Sequence, residues 1–177
     1  MSKKVWVADV TYVWIRDRWC YLALIMDQGS RKIVGWAMSV SLHKELCIEA
    51  LNLALKNNQA PEYHHSDRGV QYCSHEYIGI LKANNSIPSM ADVGVSVDTP
   101  YAESLNRSVK VEEVYLHPYE SFEEAVESIA KYINVYNNTR LHSSLGYISP
   151  VQFEKNYENN LLINQSLPKS SELVVSK

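Results

Sequence analysis

The chain has 177 residues, 46% of them hydrophobic and 21% charged, with a net charge of −3 and a pI near 6.1. This length suits one domain, the apolar fraction excludes a disordered chain, and only 6 Gly and 6 Pro exclude a fibrous one. The acidic balance argues against a nucleic-acid binder acting through bulk positive charge, since such domains usually exceed a pI of about 9. Cys20, Cys47 and Cys73 form neither a disulfide framework nor a zinc knuckle and suit a reducing compartment. The longest apolar run, Trp19 to Met26, is strand-length and short of the ~18 residues of a membrane helix. A soluble, cytoplasmic protein is expected.

In chain order, Val5–Val13, Trp19–Met26 and Lys32–Ser39 read as three strands. The short turns between them imply an antiparallel meander, because parallel neighbours need a long crossover. His43–Asn57 follows as a helix with Leu46, Ala50, Leu53 and Ala54 at helical spacing. Glu62–His65 is a short strand, His75–Asn84 a short helix and Ile87–Met90 a further extended piece. Asp92–Asp98 reads as a loop. Thr99-Pro100 marks a helix start, with Thr as N-cap and Pro first, running to about Tyr115. Ser121-Phe122-Glu123-Glu124 is a capping box, opening a helix whose apolar stripe is Phe122, Val126, Ile129, Ile133 and Tyr136. Ser149-Pro150 opens a last short helix. The order predicts an α/β domain on a mixed sheet, spanning residues 1–155, with 156–177 a partly disordered tail.

Three acids stand apart. Asp9 lies mid-strand between Val5, Val7, Thr11 and Val13 on its own face and Trp6, Ala8, Val10 and Tyr12 on the other. Both faces read as buried, where an ionised carboxylate is costly unless paired or metal-bound. A frayed edge or one Arg partner is the plainer explanation. Asp67 follows a strand directly, in His64-His65-Ser66-Asp67-Arg68-Gly69, where a turn-forming Asp is also common. Glu103 opens a helix, where an acid suits the dipole. Taken together, two aspartates at strand ends and a helical glutamate are the oxygen ligands that Mg2+ or Mn2+ prefers. Two such ions about 3.5–4 Å apart can clamp an in-line phosphoryl transfer. Asp9, on a central strand, fits the bridging position. Arg107 and Lys110 share the face of Glu103, with Asn106 also near it, and Arg68 adjoins Asp67. Those cations suit a phosphodiester backbone crossing the metals, and equally suit ordinary surface ion pairs.

At this point the chain resembles a known family. The 35 residues between Asp67 and Glu103 match the spacing of aspartate–aspartate–glutamate transposases and retroviral integrases. Trp6-Val7-Ala8-Asp9-Val10-Thr11-Tyr12-Val13 resembles the first-aspartate strand of bacterial insertion-sequence transposases, and His65-Ser66-Asp67-Arg68-Gly69-Val70-Gln71-Tyr72 their second motif. Tyr101-Ala102-Glu103-Ser104 with Lys110 and Glu112 is similar to the third. Tyr136-Asn137-Asn138, Arg140, His142 to Tyr147 and Ser149-Pro150 resemble the closing signature of the insertion-sequence-three branch.

The resemblance implies a ribonuclease-H-like core, a five-stranded mixed sheet with helices on both faces. It also implies two Mg2+ (or Mn2+) ions held by Asp9, Asp67 and Glu103, with Asp9 as bridge. The implied reaction frees a DNA 3′-hydroxyl and joins it to another phosphodiester, with DNA and a homo-oligomer as partners. Relatives of the branch carry an upstream DNA-reading region, so this chain is expected to be an isolated core. The Asp92–Asp98 loop departs from its relatives in carrying fewer basic and amide residues. Rival readings are a nuclease of the same fold, an inactive DNA-binding or dimerisation remnant, and a zinc site using His64 or His65 with His75. By segment, residues 1–60 carry +3, residues 61–110 carry −2 and residues 111–177 carry −4, so the core alone should bind DNA weakly.

Overall fold

Alternation of large β-branched and aromatic side chains draws the first third of the chain into a meander. In the computed structural model, which describes residues 4–90 and 100–166, β1 (Val5–Ile15), β2 (Arg18–Asp27) and β3 (Ile33–Ser39) pair antiparallel. β4 (Tyr63–Ser66) and β5 (Ile87–Met90) then add in parallel on the other side of β1, giving the order β3-β2-β1-β4-β5. The expected five-stranded mixed sheet is therefore present.

The period-2 alternation of β1 sends its side chains into two separate cores. Val7, Val13 and Ile15 join Leu22, Leu24 and Met26 against α3 (Pro100–Val109) and α4 (Phe122–Asn138). Trp6 and Ala8 join Ala23, Ile25 and Val34 against α1 (Lys44–Asn57) and α2 (His75–Ala83). Helices thus cover both faces. Each buried Leu or Ile contributes about 1.5–3 kcal/mol, so these two layers fix where the ends of β1 and β4 stand. On the second face the packing is close. A Cβ on Gly35 of β3 would lie 2.7 Å from the Ala54 Cβ and also run into the Ala50 carbonyl of α1.

The structure corrects the expectation that β1 is buried on both faces throughout. Trp6, Val7 and Ala8 are buried, Asp9 and Val10 half-buried, and Tyr12 and Trp14 exposed. The reason is coverage of one face. The α3–α4 side keeps Thr11, Val13 and Ile15 buried to the end of the strand, whereas the core against α1 and α2 takes in Trp6 and Ala8, has Val10 at its margin, and does not include Tyr12 or Trp14.

The Ser121 cap forms as expected, its hydroxyl accepting from the Glu124 amide at 3.1 Å, while the Glu124 carboxylate accepts from the Glu120 amide at 2.8 Å. The apolar stripe of α4 is displaced from the predicted one: Ala125 and Tyr132 are buried with Ile129, Ile133 and Tyr136, and Val126 is half-buried. The small Ala125 faces the core at 0% exposure, in the place expected of Val126. Pro100 is the first residue of α3, which continues through a π-helical turn at Lys110–Val114. The Thr99 cap and the Asp92–Asp98 loop lie outside the described residues. The last helix, α5 (Pro150–Ser166), is longer than the short helix expected and takes in residues 156–166. It is tied to the β2–β3 turn by a Lys32–Glu154 ion pair at 2.7 Å. All three cysteines are free thiols.

Candidate active site

The parallel register of β1 and β4 is what brings two of the three acids together. Ala8 pairs with Ser66, the last residue of β4, so Asp9, midway along β1, stands beside Asp67, which directly follows the carboxyl end of β4. In open α/β sheets this is where ligands and chemistry gather. Asp9 lies on the α3 face of the sheet, the same side as Val7 and Val13. Its Oδ1 accepts from its neighbour's amide, Val10 N, at 2.8 Å, and its Oδ2 from Asn106 Nδ2 at 2.6 Å. Asn106 is one helical turn beyond Glu103, so this bond docks the Glu103 end of α3 onto Asp9.

Asp9's carboxyl is pushed above the ordinary Asp range, first by burial and then by the negative charges of Asp67 and Glu103, with the Val10 and Asn106 bonds working the other way. That repulsion shows that the three acids share one electrostatic environment. None of the three is ion-paired to a cation among the described residues, which disposes of an Arg partner for Asp9.

The second acid is shaped by its turn. Asp67 Oδ1 accepts from Gly69 N at 2.9 Å, the Asx arrangement expected of an Asp beside Gly. A Cβ on Gly69 would lie 2.9 Å from that same oxygen, so any larger residue would push the carboxylate aside. Asp67 and Glu103 are both exposed. Among the described residues, no group of three or more His, Cys, Asp and Glu side chains stands close enough to hold a metal ion. Val10 N and Asn106 Nδ2 hold the two Asp9 oxygens, and Gly69 N holds one oxygen of Asp67. The donor set still fits a divalent ion in kind. Among the described residues it is three hard oxygen acids without a cation partner, and beside them the buried Asn106 Oδ1 has no hydrogen-bond donor.

The expected cationic residues are exposed or half-buried beside this cluster. Arg107 stands one turn beyond Glu103 on α3 and Lys110 opens the π-helical turn that follows, and among the described residues neither forms an ion pair. Arg68 is exposed next to Asp67. His64 plays no ligand role here. It is buried, its Nε2 meets Tyr77 Oη at 3.0 Å, and burial holds its pKa down at about 4.

Sequence reasoning missed how the closing signature is used. Arg140 grips Glu112 with two nitrogens, at 2.7 Å from Nη2 and 2.8 Å from Nε, while Tyr132 Oη donates to the same carboxylate at 3.0 Å. These bonds hold the Glu112 carboxyl below its usual range, the Arg140 bond most of all. Asn137 binds both the amide (2.8 Å) and the carbonyl (2.9 Å) of Ile33 at the start of β3. The signature is therefore a clamp: α4 and the segment after it seize the π-helical turn that continues the Glu103 helix. Its signal was the acid and the arginine within two motifs already singled out, but nothing in their spacing said that they meet.

Two integrase core domain families match the chain, one over residues 1–96 and another over residues 86–150. The insertion element IS600 uncharacterized 31 kDa protein of Shigella sonnei is 40% identical over 157 residues, covering 87% of this chain and 58% of that protein. Transposase InsF for insertion sequence IS3A of Escherichia coli (strain K12) is 38% identical over 152 residues, covering 84% of this chain and 53% of its own length. The chain thus spans little more than half the length of these curated relatives.

Among solved structures, the HTLV-2 integrase catalytic core domain in complex with magnesium, in a dimeric form, superposes with a TM-score of 0.67 at 16% identity over 85% of this chain and 95% of that one. A simian T-cell lymphotropic virus intasome structure gives 0.72 at 13% identity over 99% of this chain and 60% of that one. The sheet order, the helices on both faces and these superpositions make the fold ribonuclease-H-like. With more than half of its residues inside one family match and the rest of the core inside the next, the chain belongs to the integrase core domain family.

Proposed function

We propose that the chain is the catalytic core of an insertion-sequence transposase, a polynucleotidyl transferase that cuts DNA and joins the freed 3′-hydroxyl to a second phosphodiester. The observation that supports this most is the placement of Asp9 beside Asp67 on neighbouring strands, with the helix that carries Glu103 bonded to Asp9 through Asn106. Asp9, Asp67 and Glu103 would hold two divalent ions, Mg2+ or Mn2+. Bound there, the ions supply Lewis-acid activation of a water or 3′-hydroxyl nucleophile and neutralise charge at the departing oxygen.

The chain's own groups do the rest. Asp9, on the central strand and beside Asp67, would be the carboxylate shared between the ions. Asn106 holds Asp9 in orientation. Arg107, Lys110 and Arg68 offer unburied cations to the phosphodiester backbone crossing the site, contacts that position the strand without reading bases. No side-chain nucleophile is required, so no covalent protein–DNA intermediate forms. Element ends and target DNA are the substrates under this reading, and a second copy of the chain is the natural partner by analogy with the dimeric HTLV-2 core. Among the described residues no helix is long and apolar enough to cross a membrane, which agrees with a cytoplasmic site of action.

The test is a joining assay with Mg2+, using a duplex with a recessed 3′-hydroxyl and a target plasmid. Wild type should give joined product, while Asp9→Asn, Asp67→Asn and Glu103→Gln should each lower it by at least a hundredfold. Cleavage with no joined product would establish the nuclease reading instead, and activity unchanged by Asp67→Asn would overturn the triad.

A further inference from the structure

Beyond Ala8, β1 is paired on only one side. Among the described residues its other edge meets β4 over Val5–Ala8 and then Tyr119 at Ile15, leaving the stretch between open. A groove of about 530 Å³ lies along this stretch. One wall is aromatic. Tyr12 and Trp14 on β1 stand opposite Tyr21 and Trp19 on β2, with ring centroids 5.3 Å and 5.0 Å apart, and Tyr12 also meets Trp19 edge-on at 6.2 Å. Tyr12, Trp14 and Trp19 remain 50%, 48% and 55% exposed, unusual for rings of this size.

The groove is also cationic. Arg16 and Lys110 line it and form no ion pair among the described residues, against one lining acid, Glu120. A cross-strand aromatic ladder that only stabilised a hairpin would call for neither the cations nor the open edge. Half-exposed rings beside unpaired cations are what a single strand of nucleic acid requires, since bases stack on the rings while phosphates meet the charges. Lys110 lines this groove and opens the π-helical turn that continues the Glu103 helix. The groove and the candidate active site share β1, on which Trp14 lies about 16 Å along the strand from Asp9.

We propose that the Tyr12–Trp14–Trp19 groove is a binding site for unpaired DNA, stacking bases of the strand that leaves the active site. This rests on the transposase reading for the strand's origin, but its test does not depend on catalysis. The probe is a fluorescein-labelled oligothymidylate of about eight nucleotides, titrated in EDTA onto an Asp9→Asn background and followed also by tryptophan quenching. Quenching by the oligonucleotide, with affinity reduced about tenfold by Trp14→Leu and restored by Trp14→Phe, is the expected result. Equal affinity for Asp9→Asn and Trp14→Leu/Asp9→Asn, with loss only in Lys110→Ala, would leave backbone charge alone and overturn the stacking site. Dimers in sedimentation that Trp14→Leu dissociates, with oligonucleotide affinity unchanged, would make the groove a protein interface and overturn it too. Circular dichroism checks that each variant is folded, and Tyr12→Leu is the substitute if Trp14→Leu is not. Failure here with joining activity intact rejects the groove alone; stacking intact with no joining activity rejects the transposase reading.

Discussion

At Asp9 one carboxylate carries opposite demands of stability and function. Burial and the nearby Asp67 and Glu103 raise its pKa, so the folded protein holds the Asp9 proton more tightly than the unfolded chain does. Without a cation, stability therefore falls as pH rises out of the ordinary Asp range and through the raised folded value, and the deficit persists at neutral pH. Asp9→Asn should accordingly stabilise the metal-free protein at pH 7 by roughly 1 kcal/mol, the usual size of such a trade-off, while abolishing joining. Millimolar Mg2+ should raise the melting temperature of wild type and leave that of Asp9→Asn unchanged, because a ligand of the folded state stabilises it by mass action.

His64 gives a second and opposite dependence. Burial lowers its pKa from 6.5 to about 4, so the unfolded chain takes up a proton that the folded one refuses. Stability should drop as pH falls from 6.5 to about 4 and level off below. Urea denaturation across that window checks this: His64→Gln should be less stable at pH 7 yet lose less on acidification.

Elements transmit these demands through close contacts. Gly35 lets β3 lie against α1, and Gly35→Ala forces its Cβ into Ala54, a displacement expected to cost about 1–3 kcal/mol in thermal or urea unfolding. The Arg140–Glu112 clamp acts on the helix that bears the third acid. Arg140→Met should cost about 1–3 kcal/mol, the range for charge-assisted hydrogen bonds. It should also lower joining activity beyond what that destabilisation explains, since α3 loses a brace. Because Glu112 is held below its usual range, the clamp is intact above that range and weakens as pH falls through the lowered value. Element identities were legible in the sequence because periodicity reports burial directly: β5 was placed at Ile87–Met90, and α2 ended within one residue of the expected Asn84. The stripe of α4 was misread at Val126 because periodicity ranks residues by hydrophobicity, whereas packing favoured the small Ala125. The π-helical turn at Lys110–Val114 carries no compositional mark.

Across the whole molecule, the acids were legible for a related reason: a charged residue inside an apolar strand contradicts its surroundings and so announces itself. The register that sets Asp9 beside Asp67, the Asn106 bridge and the exposed Tyr12–Trp14 ladder were not legible, since each depends on contacts between elements distant in sequence. The overall charge of −3 is also reconciled at this scale. The acids that count against nucleic acid include the three candidate ligands, while among the described residues Arg107 and Lys110 stay outside ion pairs.

The central claim is that Asp9, Asp67 and Glu103 form one metal site. Its most direct test is a crystal structure of the protein with DNA and Mn2+, read by anomalous scattering. The account predicts manganese about 2.1 Å from the Asp9 carboxylate and shared with Asp67 or Glu103. Saturating Mn2+ with DNA bound and no manganese between these carboxylates would contradict it.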